Sequence, residues 1–154
     1  MKSKAIVMTL VLCFIGIAVC LAADGFLGTW KLNEAKSKLA PGTAKNSTVV
    51  YSTMGDNMMV TIDGTDAAGK PAHNEWMGKF DGKDYPVTGD STSDARAVKQ
   101  VDDHTLTFTV KKGDKVLVTG RIVLSADGKT RTVTTEGTDS TGKKISATAV
   151  YDKQ

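Results

Sequence analysis

The sequence predicts an all-β chain that folds as one antiparallel up-and-down β-barrel of about 8–10 strands, with at most a short helical turn after the first strand. Three observations predict it. Short segments alternate apolar and polar residues with a period of two. Gly-Asp and Asp-Gly pairs separate these segments at regular intervals. The apolar run Phe26-Leu27-Gly28-Thr29-Trp30-Lys31-Leu32 opens the strand-rich region.

The first 23 residues stand apart from this pattern. Lys2 and Lys4 form a short positive segment, Ala5 to about Cys20 is apolar and uncharged, and Leu21-Ala22-Ala23 supplies small residues before Asp24. This is the pattern of a signal peptide cut after Ala22 or Ala23. An uncleaved membrane anchor is the rival, because the run approaches the ~20 residues that a span requires. A lipoprotein is disfavoured, since Val19 before Cys20 is not the small residue such a site needs. The expected organisation is therefore a signal peptide over 1–23 and a barrel domain over 24–154, located in the periplasm or secreted. Both cysteines, Cys13 and Cys20, leave with the signal, so the domain has no disulfide or thiolate chemistry. It then holds 18 basic against 17 acidic residues, a net of +1, with no basic stripe. Nucleic acid is excluded as a partner on this balance, and a monomer with no stable membrane span is expected.

The strands are expected at 26–33, 47–54, 57–63, 72–80, 84–88, 95–101, 104–112, 115–125, 129–136 and 144–152. Leu106, Phe108 and Val110 alternate with Thr105, Thr107 and Thr109. Met58, Val60 and Ile62 alternate with Met59, Thr61 and Asp63. Such alternation marks a sheet with one covered and one wet face. Turns are expected at Gly55-Asp56-Asn57, Asp63-Gly64, Asp81-Gly82-Lys83, Gly113-Asp114, Asp127-Gly128-Lys129 and Gly137 to Gly142, where glycine supplies the positive φ of tight hairpins. Only Glu34 to Leu39 has room to be helical, before Pro41-Gly42 stops it.

The opening Gly28-Thr29-Trp30-Lys31-Leu32 and the closing Ala149-Val150-Tyr151-Asp152-Lys153 resemble the ends of the calycin superfamily, which joins the lipocalins and the fatty-acid-binding proteins. The resemblance implies a calycin-like barrel enclosing a cavity for a small hydrophobic or amphipathic ligand. It implies that Gly28 and Trp30 close the barrel floor. Tyr151 matches the tyrosine with which fatty-acid binders hold a carboxylate, but Ala149 stands where their last-strand arginine belongs. Arg121 resembles the second arginine of that pair only approximately. Inward neighbours Val116, Val118, Ile122 and Leu124 would turn Arg121 outward. The helix–turn–helix lid of that branch has no counterpart, because Glu34 to Asn46 is too short for two helices.

Constellations for catalysis are sparse. His73 and His104 have no metal-ligand spacing, and Ser91 and Ser93 lack a nucleophile-elbow context. No enzyme activity, cofactor or metal is expected. Trp76 and Met77, beside Gly78, either form an apolar entrance with Met59 or fill the core. The expected function is a lipocalin-like binding protein whose ligand contacts Tyr51, Val60, Phe108, Arg121, Ala149 and Tyr151. The alternative is a barrel packed solid by its own side chains that acts as a structural or interaction module of the cell envelope.

Overall fold

A computed structural model describes residues 21–138, 142 and 144–154, so the expected signal segment lies outside the described residues as far as residue 20. Ten strands form: β1 Gly28–Leu32, β2 Lys45–Met54, β3 Asn57–Thr65, β4 Pro71–Gly78, β5 Asp81–Thr88, β6 Ala95–Asp102, β7 Thr105–Lys112, β8 Lys115–Leu124, β9 Thr130–Thr138 and β10 Lys144–Lys153. Each pairs antiparallel with the next, and β1 also pairs with β10. The result is a closed up-and-down barrel, which leaves no sheet edge exposed. Among the described residues the only helical pieces are two 3-10 turns, Leu21–Phe26 and Glu34–Lys36.

Period-two alternation becomes inside and outside. Met58, Val60 and Ile62 of β3 are buried, and across the pairing with β4 Val60 faces Trp76. Leu106 and Phe108 of β7 point inward opposite Ile122 and Gly120 of β8. Gly120 has a packing reason: a Cβ there would meet the Phe108 ring and come within 2.8 Å of the Thr134 carbonyl. Gly78 likewise lies beneath the ring of Tyr85, which stands edge-on to Trp76 at 5.9 Å.

Three local expectations are corrected. Asp63-Gly64 is not a turn: β3 runs on to Thr65, and Gly64 pairs with Asn46 where the register slips before Thr48. The chain instead reverses over Asp66–Gly69, where the Asp66 carboxylate accepts from the amides of Ala68 and Lys70. Asp81-Gly82 is not a hairpin tip but a bulge within β5, with Gly82 at φ 81° between the paired residues Asp81 and Asp84. Val116 faces outward, because the register between β7 and β8 shifts at Val110/Lys111 and leaves Leu117 as the extra residue. One extra residue inverts the facing of all that precede it in the strand.

The barrel has a closed end and an open one. The turns β2–β3, β4–β5, β6–β7 and β8–β9 share the closed end with the first 3-10 turn, which runs into Phe26, fully buried. Trp30 is also fully buried, and its indole Nε1 donates to the Phe26 carbonyl at 2.8 Å. Lys153 ties the same turn down by donating from Nζ to the Gly25 carbonyl at 3.1 Å. The expected cleavage point after Ala22 or Ala23 falls within this turn.

At the open end, the link from β1 to β2 holds one 3-10 turn, capped by Asn33, whose side chain accepts from the Lys36 amide. The chain then runs along β10: Lys38 and Thr148 exchange backbone hydrogen bonds of 2.7 and 2.9 Å, and Ser37 Oγ accepts from the Val150 amide. Hence Leu39 to Ala44 rims the mouth. It does not form a helical lid.

Candidate functional site: the barrel interior

The inward side chains leave a cavity of about 750 Å3 that opens at the mouth. This lies within the range of small-molecule sites, roughly 300–1,000 Å3. Its walls are mainly apolar: Val60 and Ile62 of β3, Val98 of β6, Phe108 and Val110 of β7, Val118 and Ile122 of β8, Val133 of β9 and Ala147 and Ala149 of β10. The loops at 65–67 and 89–92 complete the rim.

Tyr51, Val60, Phe108, Ala149 and Tyr151 all line this cavity, and Trp30 seals the end beneath it. Gly28, at φ 110°, lets β1 begin its pairing with Tyr51 of β2. Trp76 is buried, donates from Nε1 to the Arg96 carbonyl at 2.8 Å and stacks on Phe80. It is a core residue, while Met77 is partly exposed on the opposite face of β4.

Arg121 is misplaced by the family analogy. It is exposed on the outer face of β8, opposite Thr107 and Thr134, because its neighbours Gly120 and Ile122 occupy the inward phase. The interior arginines are Arg131 and Arg96. Each was detectable from phase. Arg131 is two residues from inward Val133 and pairs with inward Leu124 across the Asp127-Gly128 hairpin; Arg96 is two from inward Val98.

Arg131 is 2 % exposed, and its Nε and Nη1 have no hydrogen-bond partner. Aromatic rings take the place of one. The guanidinium carbon lies 4.5 Å from the Tyr151 ring centroid, 5.0 Å from that of Tyr51 and 5.2 Å from that of Trp30. Desolvated cation–π contacts contribute roughly 2 kcal/mol each at best, against ~1–3 kcal/mol lost for each buried unpaired donor. The two effects are comparable, so the cage holds the charge near break-even. Geometrically, Arg131 joins β9 to β1, β2 and β10 at the floor.

Tyr151 also differs from expectation. Its hydroxyl donates to the Asn46 carbonyl at 2.9 Å, so its proton is committed to the wall and only its lone pairs face outward from that bond. Burial pushes its pKa up to about 12, with the Arg131 charge acting in the opposite direction. The phenol is therefore neutral at any physiological pH.

Arg96 is the second residue of β6, close to the mouth, and its side chain lines the cavity. Desolvation lowers its pKa, against the pull of Tyr51 and Asp90. Its Nη2 donates to Asn74 Oδ1 at 3.3 Å. Asp90 is engaged elsewhere, accepting from Ser93 Oγ at 2.5 Å and from the amide and hydroxyl of Thr92. Outside the cavity, His73 lies between Asp63, at 2.6 Å, and Glu75, at 3.5 Å, on the exposed face of β3 and β4. Its hydrogen bond to the Asp63 carboxylate, which accepts from Nδ1, raises its pKa. No group of three or more His, Cys, Asp or Glu side chains is placed to hold a metal ion among the described residues.

The described residues thus form a closed up-and-down barrel, sealed below by the segment that holds Gly28 and Trp30 and open above into a lined cavity. No protein-family model matches the chain, and no curated protein matches it. Among solved structures it is similar to EF1p2_mFAP2b bound to DFHBI, at 12% identity over 86% of this chain and 97% of that one, with a TM-score of 0.48. It is also similar to mFAP1, a redesigned β-barrel bound to DFHBI (20% identity, 86% and 98% covered, TM-score 0.43). A third is apocrustacyanin A1 from lobster, at 12% identity over 85% of this chain and 62% of that one, with a TM-score of 0.44.

Proposed function

We propose that this protein is an extracytoplasmic carrier or sequestering protein that holds one small hydrophobic or amphipathic molecule inside its barrel. The observation that supports it is the cavity of about 750 Å3, with apolar walls and an open mouth. Filling such a space with an apolar ligand removes its surface from water at about 25 cal/mol per Å2. Val60, Phe108, Ala149 and the ring faces of Tyr51 and Tyr151 are the proposed contact surface; Arg121, on the outer wall, is not among them. The alternative of a solid-core interaction module has this cavity against it.

The test is uptake of the uncharged dye N-phenyl-1-naphthylamine by the purified barrel, with native mass spectrometry of the same sample for a co-purified lipid. Saturable fluorescence enhancement is expected. Ala149→Trp, which fills the cavity from β10, is expected to weaken uptake at least about tenfold while far-UV circular dichroism still reports a β-barrel. Absence of saturable uptake, together with a ligand-free mass, refutes the proposal. Location is tested separately: the chain recovered outside the cytoplasm is expected to begin at Ala23 or Asp24.

A further inference from the structure

We infer that the cavity carries a built site for a monoanionic head group, a carboxylate or its like, formed by Arg96 and Asn74 just inside the mouth, so that the ligand enters tail first. This rests on the cavity reading above and adds ligand class and orientation to it. Among the described residues Arg96 makes one side-chain hydrogen bond, from Nη2 to Asn74 Oδ1, and no carboxylate forms an ion pair with it. Asp90, the nearby acid, has both oxygens committed to Thr92 and Ser93. A guanidinium anchored at one nitrogen still offers a planar pair of N–H groups, the geometry that grips a carboxylate at both oxygens.

The site is held from behind. Trp76 donates to the Arg96 carbonyl at 2.8 Å and fixes β6 against β4 at that level. Asn74 lies two residues before Trp76 on the same inward phase of β4, and it lines the cavity with Arg96. Below them the walls are Val98, Phe108 and Ile122. An alkyl or aromatic tail is therefore solvated by side chains below its charged end.

The two interior arginines divide the work by position. Arg131 lies at the floor, two residues into β9 from the closed end, with its guanidinium enclosed by Trp30, Tyr51 and Tyr151. Its Nε and Nη1 are buried without a partner, and its side chain lines the lower end of the same cavity. Arg96 pairs with Val110 and Tyr85 near the rim and is only partly buried. An incoming anion meets Arg96 first and needs no rearrangement there.

The experiment compares decanoate with decanol as displacers of N-phenyl-1-naphthylamine from the full barrel. The two share a chain and differ in the head. Decanoate is expected to displace the dye at about tenfold lower concentration, the gain of a charge-assisted hydrogen bond. Arg96→Met is expected to bring the ratio close to one, Arg96→Lys to leave an intermediate ratio, and Asn74→Leu to reduce it without affecting the guanidinium itself. Should Arg96→Met fail to fold, the Lys and Leu variants carry the test. A preference that survives Arg96→Met but vanishes in Arg131→Met puts the head at the floor and overturns the inference. Equal displacement by both compounds from the wild type also overturns it, while leaving the cavity reading intact. A dye that never enters the wild-type barrel refutes the cavity reading, and this inference with it.

Discussion

Replacing Trp30 with Phe tests how the closed end of the barrel is held. Trp30 is fully buried, and its Nε1 is bonded to the carbonyl of Phe26, itself fully buried, at 2.8 Å. Phenylalanine keeps a ring under Arg131 but removes the donor. The stranded carbonyl costs ~1–3 kcal/mol. The lost volume, ~40 Å3, costs about 1 kcal/mol at ~24 cal/mol per Å3. A weaker ring quadrupole beneath Arg131 and Lys153 Nζ, which lie 5.2 and 5.3 Å from the indole centroid, takes up to ~1 kcal/mol more. The sum is about 3 kcal/mol, a large share of the ~5–15 kcal/mol that holds a domain together. Urea unfolding followed by far-UV circular dichroism reads it directly. With an m-value of ~1–3 kcal/mol/M, the midpoint is expected to fall by roughly 1–3 M at unchanged m. A fall worth less than about 1 kcal/mol would refute the argument that the Trp30–Phe26 hydrogen bond fastens the floor.

Four further outcomes follow from the same geometry. Arg131→Met, which removes both the cage contacts and the unpaired donors, is expected to change unfolding free energy by less than about 1 kcal/mol, whereas Arg131→Ala leaves a void under three rings and costs ~2–5 kcal/mol; equal losses in the two would contradict the near break-even balance. Gly120→Ala forces a methyl between the Phe108 ring and the Thr134 carbonyl and should cost ~1–3 kcal/mol by thermal unfolding. Tyr151 has a raised folded-state pKa, so the folded chain keeps its proton longer than the unfolded one; the resulting stability is present below pH 10 and is lost as pH rises toward about 12, measurable as a late phenolate absorbance step that coincides with alkaline unfolding. His73 titrates above the ordinary histidine value of 6.5 because of Asp63, so any stability from the pair is present below that value and fades as pH rises through the folded pKa; Asp63→Asn is expected to lower the His73 pKa in an NMR titration, and no change would show that the contact is absent in solution.

Much of the candidate site was within reach of local pattern. Val60, Phe108 and Tyr151 were assignable to the interior because alternation is a property of a single strand. Arg121 was assigned by likeness to a family position, against the phase of Gly120 and Ile122, and the phase prevailed. Arg96 and Arg131 fall on inward phases beside Val98 and Val133, but an arginine on an apolar face is an unusual tenant, and composition offers no reason to expect it. The turns show the same division. Gly55, Gly113 and Gly128 sit at positive φ in hairpins, while Gly64 and Gly82 belong to irregular pairings that only the facing strand reveals.

By itself, the sequence determined the all-β class, a count of about 8–10 strands, most of their turns and most of the apolar inward set, since period-two alternation and hairpin chemistry act over a few residues. Tertiary structure decided the rest. Closure of β1 onto β10 brings Trp30, Tyr51 and Tyr151 around Arg131, from strands far apart in the chain. A one-residue shift at Leu117 turns Val116 outward. The hydroxyl of Tyr151 goes to Asn46, across a separation of 105 residues. Each depends on which side chain meets which across the barrel, and that is set by register and closure, not by any residue's own neighbours in sequence.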